Sequence, residues 1–188
     1  MSASDTALLV IDVQESFRQL PVWREEDLPA FAREQQALID GAKAQGIPVV
    51  QIFHVDGDAA FSEDSGFVRT IAAISIAPDV VFHKHRHSAL VGSGLDVWLT
   101  SHGIRRLIVS GIRTEQCCET TTRHASDVGY EVDFVSAATL THEIVDAAGR
   151  RWSPAELKAR TEAVLSGRFA RIATVAEALA GRPERKAA

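Results

Sequence analysis

The chain has 188 residues, a length that predicts one domain of ordinary size. Hydrophobic residues make up 46% of it and charged residues 24%, a balance typical of globular proteins that bury a core. The formal net charge of −5 disfavours nucleic acid as a partner, because phosphates bind to basic surfaces. A membrane partner is also disfavoured, since no apolar run approaches the roughly 20 residues of a spanning helix.

The ends of the chain and its cysteines indicate where the protein works. The first five residues lack the basic segment of a secretory signal, and Asp12 interrupts the apolar stretch that follows. Cys117 and Cys118 are the only cysteines, and adjacent residues do not readily meet the geometry of a disulfide. We therefore expect a cytoplasmic protein without a disulfide framework or a Cys-rich zinc module. The polar segment 181–188 is expected to be a disordered tail.

Strands and helices alternate along the rest of the chain. Short apolar or β-branched runs predict strands at 7–11, 47–53, 80–83, 106–110, 130–135 and 169–173. Apolar spacing, caps and terminal glycines predict helices at 27–45, 95–102, 114–128, 153–165 and after Thr174. Such alternation requires parallel pairing with right-handed crossovers. We predict an α/β fold, a three-layer doubly wound sandwich with a mostly parallel six-stranded sheet, as a single domain over residues 1–180.

Three titratable residues fall at or just after the carboxyl ends of predicted strands, where ligands bind in sheets of this kind. Asp12 follows the first strand, Lys84 follows the third, and Cys117 lies in the turn after the fourth. Each has an ordinary structural explanation, as a turn cap, a solvated surface group and a packed thiol respectively. Their coincidence at one sheet edge predicts a site that contains an acid, a base and a thiol.

The turn before Cys117 is the most informative stretch. Gly111 permits a tight exit from the strand, and Thr114 is placed to cap the next helix. Cys117 would then lie in the first helical turn, where the helix dipole and a nearby lysine favour the thiolate. Exposed N–H groups of the same turn can hold an oxyanion. Cys118 is rotated by about 100° around the helix and is expected in the core.

Three sequence blocks together resemble the isochorismatase-like cysteine hydrolase family. They are residues 9–17, 84–95 and 111–130. Leu90 stands where the family more often has Phe, while the acid, the lysine and the cysteine keep the family's order. The resemblance implies that Asp12 takes the thiol proton and later activates water. It also implies that Lys84 holds the carboxylate and thiolate in register and that Cys117 is the nucleophile.

The same resemblance implies how the oxyanion and the substrate are held. Family members have a non-proline cis peptide just before the nucleophile, which here would join Ile112 and Arg113. It would turn the N–H of Arg113 toward the same oxyanion as the N–H of Cys117. Phe17, just past the first strand, and Ile112 are further candidates for contact with substrate.

Histidines flank Lys84, but their pattern does not predict a metal site. His83, His85 and His87 would share one face of an extended segment, yet no carboxylate or cysteine is interleaved with them. We interpret them as surface or supporting groups. The nicotinamidase branch of the family has an Asp-x-His…His metal site, where this chain has His54 and no second histidine in the loop. We therefore expect no metal, no cofactor and no nicotinamidase activity.

The leading hypothesis is a cofactor-free hydrolase of a small amide, ureido or related C–N compound, with a thioester-like intermediate on Cys117. Two alternatives stay open. Asp12 could be the acid of an isochorismatase-type vinyl-ether hydrolysis, or the adjacent cysteines could respond to oxidants in a non-catalytic family member. The expected partner is a small molecule. The resemblance also implies a dimer or tetramer, for which the apolar segment 67–81 is a candidate contact surface.

Overall fold

A six-stranded sheet forms the centre of the computed structural model, which describes residues 4–57 and 59–181. Its strands are β1 (Thr6–Ile11), β2 (Val49–His54), β3 (Val80–Lys84), β4 (Arg106–Ile112), β5 (Glu131–Leu140) and β8 (Arg171–Ile172). They lie in the order β3-β2-β1-β4-β5-β8, and every pair is parallel. Two short strands, β6 (Ile144–Val145) and β7 (Arg151–Trp152), form a separate antiparallel hairpin that the sequence did not predict.

Helices cover both faces of this sheet. They are α1 (Leu28–Ala44), α2 (Leu95–Ser101), α3 (Glu119–Asp127), α4 (Pro154–Leu165) and α5 (Val175–Ala180). Alternate residues of β1 explain the arrangement, because Leu8 and Val10 pack in the apolar cluster that includes α1 and α5. Leu9 and Ile11 pack in the other cluster, with α2, α3 and α4. Both faces of β1 are buried, so its sequence is a continuous apolar run. Helices on both faces of the sheet confirm the predicted three-layer α/β sandwich.

The carboxyl half of the sheet differs from the prediction in strand length. β5 extends five residues past the expected end at Val135, beyond a shift in register opposite Val109 and Gly111. The added segment starts with Ser136, Ala137 and Ala138, which lack the β-branched and aromatic side chains that mark a strand in sequence. β8 is only two residues long, because it pairs with β5 at just two positions.

Helix starts agree with the sequence in two cases and differ in one. Ser153 and Thr174 each form a capping box with a Glu three residues later, as predicted for the first of them. The helix expected from Thr114 begins instead as a π-helical turn over Thr114–Cys118. The hydroxyl of Thr114 does not cap it, because it donates to Thr139 Oγ1 at 2.8 Å.

The segment between β2 and β3 covers the core. Ile71 and Ile74 are buried in the cluster next to α1, whereas Val81, the second residue of β3, is an exposed apolar side chain. A core-covering connection therefore explains the apolar composition of residues 67–81. Except for Gly181, the predicted tail lies outside the described residues. Within 4–57 and 59–181, no helix combines the length and apolar character needed to cross a membrane.

Candidate active site

Asp12 follows β1 directly at the carboxyl edge of the sheet. Its φ of 54° is positive, an uncommon conformation that Asp tolerates better than most residues. Its N–H donates to the carbonyl of Ile52 at 2.8 Å, and its carbonyl accepts from the N–H of Gln14 at 2.8 Å. The side chain is completely buried, and this burial raises the pKa of Asp12 although Lys84 opposes the shift. Asp12 is thus a fixed carboxyl group with more basic character than an exposed aspartate.

Lys84 ends β3 and lies at the centre of the site. Its buried Nζ is 2.8 Å from Asp12 Oδ2, 3.3 Å from Cys117 Sγ and 3.1 Å from His54 Nδ1. An ammonium has three N–H donors, so these three contacts use all of them. Burial acts to lower the pKa of Lys84, but the neighbouring Asp12 and Cys117 outweigh it and raise the pKa overall. The lysine therefore remains an ammonium.

The contact with Lys84 fixes the tautomer of His54. Because an ammonium cannot accept a hydrogen bond, Nδ1 of His54 must accept and the ring proton must be on Nε2. This Nε2 lies 3.2 Å from Asp56 Oδ2. Burial, together with the charge of Lys84, lowers the pKa of His54, which favours the same neutral ring. The amide of Gln14 holds the backbone of His54, accepting from its N–H at 2.8 Å and donating to its carbonyl at 3.0 Å.

Cys117 lies in the π-helical turn, and its environment corrects one sequence-based expectation. We expected the helix start and the lysine to favour a thiolate. Instead, burial and then the charge of Asp12 raise the pKa of Cys117 to about 12, although Lys84 opposes them. Cys117 and Asp12 both contact the ammonium of Lys84, at 3.3 Å and 2.8 Å, which makes that carboxylate the candidate acceptor for the thiol proton. Cys118 is completely buried in the core, as predicted.

A cavity of about 220 Å³ opens over the sulfur of Cys117. It is lined by Phe17, Leu20, His54, Asp56, Phe61, His87, Arg113, Gln116 and Cys117. Phe17 lines the cavity with its ring edge-to-face against that of Phe61, the ring centroids being 5.1 Å apart. Asp12 and Lys84 are not among the lining residues, because they lie fully buried behind the sulfur. A larger cavity of about 830 Å³ lies at the opposite, amino edge of the sheet and contains none of these residues.

Arg113 and Ile112 differ in what they present to the cavity. The peptide bond between them is cis. Arg113 lines the cavity, and its Nε lies 3.2 Å from Glu115 Oε1. Ile112 does not line it, because its side chain shares one face of β4 with Ile108 and packs completely buried in the core cluster next to α1. Its side chain therefore faces the core and not the cavity.

His87 is the site residue that the sequence analysis interpreted as a surface or supporting group. Its Nδ1 lies 3.7 Å from Cys117 Sγ, and its ring is nearly parallel to that of His54 with the centroids 6.4 Å apart. The strand ends at Lys84, so the alternation that would have placed His83 and His85 on the same face stops there. Position 87 reaches the cavity through an irregular turn, which periodicity cannot describe.

His83 and His85, the two histidines next to Lys84, contact residues outside the cavity lining. His83 Nδ1 lies 3.4 Å from Glu63 Oε1, and His85 Nδ1 lies 2.8 Å from the carbonyl of Val55. In the part of the chain that the structure describes, no three His, Cys, Asp or Glu side chains come close enough together to hold a metal ion.

The parallel α/β sandwich thus brings a thiol, an ammonium and a carboxylate together at the carboxyl edge of its sheet. The family model named Isochorismatase domain matches residues 6–169. The chain therefore belongs to the isochorismatase family and is a hydrolase, which confirms the resemblance seen in its sequence.

Relatives of this chain include both solved structures and proteins named for their activity. A structure of an isochorismatase-family protein from Burkholderia xenovorans LB400 is 30% identical, with a TM-score of 0.85 over 95% of this chain and 88% of that one. Nicotinamidase 3 from Arabidopsis thaliana is 28% identical over 72% of this chain and 73% of its own length. Ureidoacrylate amidohydrolase RutB from Stutzerimonas stutzeri is 28% identical over 76% of this chain and 72% of its own length.

Proposed function

We propose that this hydrolase cleaves the C–N bond of a small amide or ureido compound through a covalent intermediate on Cys117. One observation supports this most directly: the only sulfur that faces the cavity among the described residues lies 3.3 Å from the ammonium of Lys84, which lies 2.8 Å from Asp12. The similarity to a nicotinamidase and a ureidoacrylate amidohydrolase, both named for amide-type substrates, supports the same bond class.

In the first half of the proposed reaction, Sγ of Cys117 attacks the carbonyl carbon while its proton moves to Asp12. The carbonyl electron pair moves onto oxygen, and the N–H groups of Arg113 and Cys117 would hold the resulting oxyanion. When that oxyanion collapses, the C–N bond breaks and Asp12 passes the proton to the departing nitrogen. The products are a thioester on Cys117 and ammonia or an amine.

The resting protonation states explain why this transfer has to accompany the attack. With a pKa of about 12, the thiol is neutral near neutral pH, so the thiolate forms only as Asp12 accepts its proton. Lys84 faces both groups and offsets the negative charge on whichever of them holds it. In the second half, water adds to the thioester carbon, the C–S bond breaks, and the acid leaves as the thiol regains a proton.

The two cysteines weigh against the alternatives. Cys117 presents its sulfur to the cavity, whereas an isochorismatase-type vinyl-ether hydrolysis with Asp12 as the acid needs no thiol there. Cys118 is completely buried, and burial raises the pKa of its thiol, which disfavours a cysteine pair that responds to oxidants.

The test is ammonia release from a panel of small aliphatic amides, nicotinamide and ureido acids. We expect Cys117→Ala to release none above background, while the matched variant Cys118→Ala keeps activity because its sulfur does not face the cavity. Circular dichroism of both variants reports whether they fold. Equal ammonia release by wild type and Cys117→Ala, or no release from any compound by wild type, would contradict the proposal.

A further inference from the structure

The side chain of Arg113 lines the cavity, but the proposed reaction uses only the backbone N–H of this residue. We propose that the guanidinium of Arg113 selects the substrate by binding a carboxylate at its far end, so that the enzyme acts on small amides or ureido compounds that carry a carboxylate. The inference rests on the C–N hydrolase function proposed above and deepens it. It makes Arg113 a specificity-determining residue in addition to its proposed part in holding the oxyanion.

The first argument is that protein groups hold one edge of the guanidinium. Its Nε lies 3.2 Å from Glu115 Oε1, and its Nη2 donates to the carbonyl of His142 at 3.4 Å. Glu115 is itself fixed, since its Oε2 accepts from the hydroxyl of Thr141. Nε and Nη2 share one edge of the planar fork, so Nη1 and the second N–H of Nη2 are the donors left for a ligand. Two parallel donors of this kind match the two oxygens of a carboxylate.

The second argument is the charge that the cavity wall presents. Among the described residues that line it, Arg113 is the only lysine or arginine and Asp56 is the only aspartate or glutamate. The carboxylate of Asp56 lies 3.2 Å from Nε2 of His54 and its side chain is 45% exposed, so water screens its charge. Only 15% of the Arg113 side chain is exposed, and an ionic contact in such a place is screened less. This wall therefore suits a negative group on the substrate better than a positive one.

The ion pair between Arg113 and Glu115 leaves room for a second carboxylate. Arg18 of this chain shows the same capacity, since its Nη1 lies 3.2 Å from Glu15 and its Nη2 lies 2.9 Å from Glu25. Because Glu115 holds the guanidinium in place beforehand, a substrate carboxylate would bind with a smaller loss of side-chain entropy.

The third argument is the size of the cavity. Its volume of about 220 Å³ lies below the usual range of ligand pockets, about 300–1,000 Å³. A substrate that reaches from the backbone N–H of Arg113 to its guanidinium spans one side chain, so a short chain separates its amide from its carboxylate. Phe17, Leu20 and Phe61 line the same cavity and offer apolar contacts to the methylene groups of that chain. Malonamate, succinamate and glutaramate are compounds of this kind.

Binding to the Cys117→Ala protein tests the inference without turnover. Ligand-observed NMR titrations give the Kd of malonamate, succinamate and glutaramate. The neutral reference is 4-methylpentanamide, in which an isopropyl group replaces the carboxylate of succinamate. We expect the best of the three anions to bind about 10²-fold more tightly than this reference, as hydrogen bonds between charged partners commonly contribute. Adding Arg113→Met, which keeps the backbone N–H, should lower this ratio to about 1.

Matched variants in the same Cys117→Ala background make the result specific. Arg86→Met removes an exposed arginine that does not line the cavity, and it should keep the full ratio. Arg113→Lys restores a point charge without the fork and should recover a ratio of about 10. If Arg113→Met fails to fold because Glu115 loses its partner, the double variant with Glu115→Gln removes both charges. A merely structural role of Arg113 would weaken the binding of all ligands alike and leave the ratio unchanged.

Several outcomes overturn the inference. They are no binding of any of the three anions, equal affinity for the best anion and the neutral reference, and a ratio that survives the loss of the guanidinium. Tighter binding of the cationic 4-aminobutanamide also overturns it, because Asp56 would then dominate the cavity. Failure of the proposed function looks different. In that case ammonia release from the amide panel is independent of Cys117, whichever of these ligands bind.

Discussion

The sulfur of Cys117 is subject to opposing electrostatic effects within a few ångströms. Burial and the carboxylate of Asp12 disfavour a thiolate, whereas the ammonium of Lys84 favours it. Because the first two dominate, the pKa of the thiol rises to about 12 and the resting group is neutral. The lysine is thus better described as a group that stabilises the thiolate once it forms than as one that creates it beforehand.

This balance predicts slow alkylation of the resting enzyme. In a Cys118→Ala background, so that Cys117 is the only thiol, iodoacetamide should react near neutral pH at least about 10²-fold more slowly than a free thiol of pKa about 8.5, because far less thiolate is present. The rate should rise as pH increases, since a thiol of high pKa keeps gaining thiolate above neutrality. Liquid chromatography with mass spectrometry measures the modified fraction over time.

Asp12→Asn provides the complementary variant. It removes the negative charge that raises the thiol pKa, so alkylation at neutral pH should become faster than in the parent protein, even as hydrolysis is lost. An alkylation rate in the parent protein equal to that of the free thiol would contradict this account of the site.

The identity of the three central residues was predictable from sequence, but their electrostatics were not. Asp12, Lys84 and Cys117 each lie at or just past the carboxyl end of a strand, and parallel pairing brings such ends together. How strongly the resulting site is buried from solvent depends on the packing of many side chains that are distant in sequence. That quantity decided the direction of the pKa shift of Cys117, and no local sequence pattern contains it.

At the scale of elements, the turn that contains Cys117 leads directly into α3, so its position depends on how α3 is anchored. Glu119 begins this helix and is buried, with only 5% of it exposed. Its Oε1 accepts from Arg123 at 3.0 Å, and its Oε2 accepts from Thr161 of α4 at 2.9 Å and from Arg160. One carboxylate therefore joins the helix that follows Cys117 to its neighbour.

Removing this carboxylate should weaken the fold. We expect Glu119→Ala to lower the free energy of unfolding by about 2 kcal/mol, because hydrogen bonds to a charged group contribute on that order and both arginines can regain water. Urea unfolding followed by circular dichroism measures the change. Asp127→Ala, at an exposed position of the same helix, is the control and should have little effect. Equal urea midpoints for the two variants would contradict the anchoring role.

Elements that pack in regular periods were predictable, and irregular segments were not. The apolar runs of β1 and β4 identified central strands because both of their faces are buried. The segment that contains His87 is irregular and follows the end of β3 at Lys84. The sequence analysis treated it as an extended continuation of that strand, because alternating histidines suggest an extended segment. His54 offered a usable signal, since it is the last residue of β2 and lies at the same edge as Lys84.

At the scale of the whole molecule, the two edges of the sheet are built for different purposes. The carboxyl edge holds the cavity of about 220 Å³ and the buried thiol of Cys117 that lines it. Toward the amino edge, Asp133 is completely buried and accepts from Arg106 at 3.1 Å and from Arg171 at 2.8 and 2.9 Å. These contacts join β4, β5 and β8, and Arg106 also donates to the carbonyl of Ala178 in α5.

Because the charge network of Asp133 lies far from the thiol, stability and activity should separate when it is broken. Asp133→Ala leaves Arg106 with most of its side chain buried and without this partner, so we expect the free energy of unfolding to fall by about 3 kcal/mol. The rate of ammonia release from the amide panel, per folded molecule, should stay at the wild-type value. Asp127→Ala, at an exposed position of α3, is the control for stability. A rate that fell together with stability would mean that the amino edge positions the residues around the cavity, since the sheet would then transmit the disturbance along β4 to the turn of Cys117.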